Sequence, residues 1–238
     1  MVLNFKKMKG YNMSVNRVKL TDRILPKYTK GEEIFNMVSH ILGAVLGIVT
    51  IVLTSVFATI NNVKFGVISG IIMGIMLLLL YTISSIYHGL SPKLMAKKVF
   101  QIIDHCTIFL LIAGCATPFA MCTFMKESIA LGWAIFGVIW LVAILGVVLN
   151  SIDLKKFKKF SMFCYLAMGW CFLIRMDLLL KYLGIGGVVL LILGGVSYSV
   201  GAILYGLGKR KKWMHSIFHL FCVLGSLLHV LCVLIYVL

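Results

Sequence analysis

The sequence predicts an all-α membrane protein, a bundle of seven transmembrane helices with the N-terminus in the cytoplasm and the C-terminus outside the cell. Three observations carry this expectation. Of the 238 residues 61% are apolar and the mean hydropathy is +1.06, well beyond a soluble domain. The apolar residues gather into seven runs of about 20 residues, the length a helix rising 1.5 Å per residue needs to cross hydrocarbon. Basic residues fill the gaps between runs with alternating density, as cytoplasmic and external loops do.

The runs cover approximately residues 36–59, 65–88, 102–123, 129–149, 161–180, 184–206 and 213–237. Asn61-Asn62-Val63-Lys64 separates the first pair, and Ser91-Pro92-Lys93 with Lys97 and Lys98 the second. Lys126-Glu127 follows, then Asp153 with Lys155, Lys156, Lys158 and Lys159. The fifth break is softer, holding Arg175, Asp177, Lys181 and a glycine, whereas Lys209-Arg210-Lys211-Lys212 marks the last one clearly. Nineteen of the 23 Lys and Arg lie in residues 1–30 and the second, fourth and sixth breaks, leaving four for the other three breaks. Cytoplasmic loops are enriched in positive charge, so this alternation places the N-terminus inside and Leu238 outside.

Only 7 acidic residues oppose the basic ones. The excess orients helices and does not suggest a nucleic-acid partner, since no groove-reading motif accompanies it. Residues 1–30 form a basic cytoplasmic arm with no apolar core and cleavage site, so no secretory signal is expected there. A disordered arm drawn to anionic lipid is the expectation. Residues 31–238 make one membrane domain, which points to a plasma-membrane location. The seven cysteines include no CxxC pair and lie in apolar stretches, where they serve as small buried hydrophobes. Gly43 and Gly47 on the first run, and Gly66, Gly70 and Gly74 on the second, recur every fourth residue. Such stripes let helices approach closely, either within one bundle, the preferred reading, or between protomers of a homo-oligomer.

Ionisable groups inside spanning segments are costly, which makes each a functional candidate. His215 and His219 open the seventh run at an i, i+4 spacing that stacks two imidazoles on one helical face, where they either share a metal ion or sit singly near the headgroups. The charge alternation brings the end of the second run, with His88, and the start of the third, with Asp104, to the same boundary. Three imidazoles with an open position suit a catalytic zinc site, and no thiolate set or oxygen-rich cage competes. Asp104 then either fills the fourth position or acts as general base on a water beside the ion. Ser84, one turn before His88, either supports the site and an oxyanion or bonds back to its own helix. His105 points about 100° away from Asp104 on a helix. His229 lies about 15 Å beyond His219, too far for the same ion. Glu32, Glu33, Asn36 and His40 enter the first run as an N-terminal cap, the preferred reading, or as the mouth of the site.

The segments Glu33 to His40, Ser84 to His88, Asp104-His105 continuing through Leu111 to Phe119, and His215 to His219 resemble the hemolysin III family, the bacterial branch of the progestin and adipoQ receptor group. The resemblance spans nearly all of residues 32–238, with Cys115 standing where a small polar residue is usual. It implies zinc held by His88, His215 and His219 near the cytoplasmic face, Asp104 contacting the ion's water, and Ser84 in the Ser-x-x-x-His pattern. Adiponectin-receptor relatives look like ceramidases, which implies hydrolysis of a lipid amide or ester, with a ceramide-like or other acyl lipid as partner. The family name implies instead a cytolytic or pore-forming activity, and the alternative reading is a membrane-perturbing or channel-like protein whose zinc is structural.

Overall fold

The computed structural model describes residues 18–208 and 210–238, and these are helical with no strand among them. Helix α1 (Lys30–Ile60) starts six residues before the apolar run because Thr29 and Glu32 close a capping box. The Thr29 hydroxyl accepts from the Glu32 amide at 3.2 Å, and the Glu32 carboxylate accepts from the Thr29 amide at 2.8 Å, satisfying two otherwise orphaned N–H groups. Next come α2 (Gly66–Gly89) and α3 (Met95–Pro118), the latter ending at its proline in an irregular turn through Lys126. The Ser128 hydroxyl caps α4 (Ile129–Asp153). Helices α5 (Lys158–Trp170), α6 (Met176–Leu207) and α7 (Met214–Cys232) complete the fold, with a 3₁₀ turn joining α5 to α6.

Six helical runs among the described residues are long and apolar enough to cross a bilayer. One of them, Lys158–Leu207, has 50 residues, about 75 Å if straight against roughly 30 Å of hydrocarbon. It doubles back instead. Gly184 has φ 63° and ψ −178°, a conformation essentially reserved for glycine. On either side of it, the Trp170 indole donates to the Ser199 hydroxyl at 3.1 Å, although 29 residues separate them. The turn falls in the soft fifth gap of the hydropathy pattern.

Hydrogen bonds fix which segments share an end. At one end Trp213 N–H donates to the Glu32 carboxylate at 2.7 Å, Lys97 reaches Glu33 at 2.7 Å, and Arg23 reaches Gln101 at 2.8 Å. At the other, the Asn61 amide donates to the Leu238 carbonyl at 2.9 Å, while Lys181 and Tyr182 donate to Glu127 at 2.6 and 2.9 Å. Residues 18–29 pack against the first end, so this half of the arm is not the loose tether expected. Lys6, Lys7, Lys9 and Arg17, along with Lys209, lie outside the described residues.

The glycine stripes meet within the chain. A Cβ on Gly47 would lie 2.6 Å from the Leu78 backbone nitrogen, and one on Gly74 would lie 2.9 Å from the Gly47 carbonyl. Only hydrogen permits this backbone-to-backbone approach of α1 and α2. Met73, Leu77, Phe109, Phe119, Leu179 and Val230 fill the interior, while Leu42, Val52, Val138, Leu141 and Ile203 face outward. Large apolar side chains on the outside as well as the inside are what a lipid surround requires.

Candidate metal centre

His88 ends α2 and His215 and His219 begin α7, at the end of the bundle where the arm and the basic breaks lie. All three are buried, and one ligand atom from each falls within 4.8 Å of the others. The i, i+4 spacing turns the α7 pair toward each other, with their Nε2 atoms 3.1 Å apart. Two nitrogens on a tetrahedral zinc with bonds of 2.0–2.1 Å lie about 3.3 Å apart, so this pair is close to ligating geometry already. The third imidazole is oriented by a carboxylate: His88 Nδ1 lies 2.6 Å from Glu33 Oε2. A proton on Nδ1 donates to that oxygen and leaves the Nε2 lone pair free, and Nε2 is buried without a partner among the described residues. An orphaned imidazole nitrogen beside two facing ones is a donor set that fits zinc.

Glu33 is itself held. Lys97, 1% exposed, donates to Glu33 Oε1 at 2.7 Å and to the Leu90 carbonyl at 2.9 Å, with the His88 carbonyl at 3.5 Å. The first helix therefore divides its polar entrance between two roles. Glu32 caps α1 and ties down α7 through Trp213, whereas Glu33, Asn36 and His40 follow one helical stripe into the site. The Asn36 amide lies 3.4 Å from His88 Nδ1. His40 stacks on His219 with centroids 3.7 Å apart and meets the edge of Tyr81.

Asp104 and Ser84 face the same cavity as His40, His215 and His219. The Asp104 carboxylate lies outside the group of mutually close ligand atoms, and its nearest ionic neighbour is His105 at 3.7 Å. That placement suits a role beside the ion better than a role as direct ligand. Ser84 is buried, and no hydrogen bond occupies its hydroxyl among the described residues. The bond back to the helix is made by its neighbour, Ser85, to the Tyr81 carbonyl at 2.7 Å. His105 bonds Tyr205 at 3.2 Å and the Gln101 carbonyl at 2.9 Å; it lines the cavity but lies outside the group of mutually close ligand atoms. His229 bonds the Leu191 carbonyl at 3.3 Å deep in the bundle.

The cavity holds about 500 Å³, within the range of small-molecule sites. Its walls are mostly apolar, with Ile108, Leu111, Ile112, Phe119 and Leu191, interrupted by Tyr198, Ser199 and His229. Its outer end is lined by Val18, Leu20, Asp22, Arg23, Ile24 and Pro26 of the arm. Tyr28 completes this cover, stacking on His215 at 4.8 Å. Burial, reinforced by Tyr87, Tyr205, Glu33 and Asp104, raises its phenol above the usual range and keeps it neutral.

Sequence reasoning missed Lys97, Tyr28 and the specific role of Glu33. Lys97 was legible in principle: Lys97, Gln101 and Asp104 recur at i, i+4 and i+7, one face of α3. Tyr28 carried no comparable signal, since it precedes the first helix.

Comparison with known proteins gives the family of the chain. The family described as "Haemolysin-III related" matches residues 28–230. The chain is similar to "Hemolysin-3" of Bacillus cereus, 37% identical over 208 residues that cover 87% of this chain and 92% of the relative. It is also similar to "Hemolysin-3 homolog" of Bacillus subtilis (strain 168), 36% identical over 209 residues that cover 88% of this chain and 96% of the relative. The match to the family begins at Tyr28, so most of the segment covering the cavity lies outside it. With six membrane-capable helical runs and a family match over most of its length, the chain is a multi-pass membrane protein that belongs to the haemolysin III family.

Proposed function

We propose that this protein is a zinc-dependent hydrolase acting within the membrane on an amide or ester bond of an acyl lipid, with ceramide-like lipids as the substrate class. The observation that carries the reading is the cluster of three buried imidazoles at the head of an apolar cavity. His88, His215 and His219 would hold the ion. Zinc would polarise the scissile carbonyl and bring the pKa of water near 7. The cavity below accepts an acyl chain and excludes bulk water, so that hydrogen bonds and charges at its head act in a low dielectric. Asp104, which lines the same cavity, would take a proton from the attacking water and pass it to the leaving amine or alcohol. The free hydroxyl of Ser84 donates to the carbonyl oxygen as charge develops there.

The accompanying topology is seven crossings, with the N-terminus cytoplasmic and Leu238 outside. Two features support it. The reversal at Gly184 divides the longest run in two, and the described arm shares an end of the bundle with the basic segments near Lys97, Lys158 and Arg210. The metal centre then faces the cytoplasm.

The test is to purify the protein, measure bound zinc, and assay fatty-acid release from ceramide-like and other acylated lipids for wild type and Asp104→Ala. Retained zinc with lost turnover in the variant supports the proposal. Equal turnover in both sinks it. The names of the relatives favour a second reading, a membrane-perturbing protein whose zinc is structural. Dye leakage from liposomes that persists in Asp104→Ala, with no lipid cleaved by either protein, would establish that one.

A further inference from the structure

We propose that Glu33 is a positioning residue for the metal, its carboxylate fixing the His88 ring so that the three-histidine site is assembled before an ion arrives. This rests on the reading of His88, His215 and His219 as metal ligands. The two Glu33 oxygens have different partners, since Oε2 accepts from His88 Nδ1 at 2.6 Å and Oε1 accepts from Lys97 at 2.7 Å. Lys97 also bonds the Leu90 carbonyl at 2.9 Å, so one ammonium ties the carboxylate to the end of the helix that carries His88. The carboxylate favours one orientation and one tautomer, with Nδ1 as donor and the Nε2 lone pair, which has no partner among the described residues, left for the ion. A carboxylate on the far nitrogen also makes the imidazole a stronger donor to the ion. The adjacent Glu32 makes no such contact, since its oxygens serve Thr29 and Trp213. The first-helix carboxylates are therefore not interchangeable, although nothing in their local sequence separates them.

The experiment compares wild type, Glu33→Gln and Glu33→Ala as purified full chains. Zinc affinity is measured by chelator competition, the visible spectrum of the cobalt-substituted site is recorded, and the thermal midpoint of each metal-free protein is determined. Glu33→Gln keeps shape and one acceptor but loses the charge, and its zinc affinity should fall about 10-fold to 100-fold, with Glu33→Ala at or beyond the lower limit. The cobalt spectrum of Glu33→Gln should shift, a change at the ligands that a carboxylate acting on stability alone, through Lys97, would not produce even where it lowers the metal-free midpoint. Zinc affinity within about twofold of wild type and an unchanged cobalt spectrum would overturn the inference and leave the metal site standing. A wild type that binds no zinc would overturn both.

Discussion

The Lys97–Glu33 pair should show strong thermodynamic coupling in the metal-free protein. Lys97 and Glu33 side chains are 2% and 15% exposed and 2.7 Å apart. At an effective dielectric of about 20 their attraction is roughly 6 kcal/mol before desolvation is charged against it. The net value of such a pair is far smaller, because both ions have left water. Removing one partner is what costs, since it strands the other. Lys97→Met keeps the aliphatic stem but leaves the Glu33 carboxylate facing two vacated carbonyls, Leu90 and His88, and should destabilise by about 3 kcal/mol, the lower end for a broken buried pair. Adding Glu33→Gln removes the stranded charge, so the double variant should recover about 1–2 kcal/mol. Reversible unfolding in mixed detergent micelles, with chelator present throughout, gives the four free energies of the cycle. Strict additivity of the two single changes, within about 0.5 kcal/mol, would refute the claim that the pair acts as a buried unit.

Other outcomes follow from the same geometry. Gly47→Leu should abolish folding, or cost more than about 3 kcal/mol, because its side chain would enter the Leu78 backbone; Gly137→Ala, with open space around it, should be neutral or stabilising by up to about 1 kcal/mol. Recovery of monodisperse protein from membranes checks both. Tyr81→Phe deletes the hydroxyl that donates to the Cys222 carbonyl at 3.0 Å and pairs with the Ser226 hydroxyl at 2.6 Å; a loss of about 1–2 kcal/mol should appear in the same unfolding assay. Zinc at 100 times its dissociation constant should stabilise wild type by about 2.7 kcal/mol. His219→Ala should show no such gain in calorimetry, and a full gain there would undo the ligand assignment. Removing residues 1–26 uncovers the outer end of the cavity, and the rate at which a bulky chelator strips zinc should rise; an unchanged rate would mean the ion leaves by another route.

Much of this architecture was legible because two strong periodic signals agree. Apolar run length located the six membrane-capable helical runs, and the lysine-rich breaks near Lys97 and Arg210 share an end of the bundle with residues 18–29. Together they put His88, Asp104, His215 and His219 at one level, where the structure gathers the three histidines and places Asp104 on the shared cavity. The weak fifth gap was equally informative. It lacks a basic cluster, yet Gly184 supplies the positive φ at which the chain reverses. What length and hydropathy left unread were helix starts, since a capping box extends α1 back to Lys30 and a polar first turn extends α3 back to Met95.

The partition of the first helix's polar residues was harder, and the reason is physical. Glu32 and Glu33 are adjacent acids at a helix N-terminus, where either gains from the macrodipole and either can cap. Propensity therefore gives both the same role. Their Cβ atoms are rotated by about 100° from one another and flank Asn36, with Glu32 about 40° to one side of it and Glu33 about 60° to the other, so spacing alone admits either to the site. Tertiary contact makes the choice: Thr29 and Trp213 lie beside Glu32, and His88 with Lys97 beside Glu33. Lys97 was obscured in a related way. A lysine at the edge of a basic break counts toward orientation, and the charge rule is indifferent to whether its ammonium reaches headgroups or folds inward. Two adjacent lysines show both fates, since Lys98 bonds the Thr21 carbonyl in the arm while Lys97 turns in to Glu33. A topological signal and a site residue thus occupied one position, and the i, i+4, i+7 stripe it shares with Gln101 and Asp104 is the pattern that separates them.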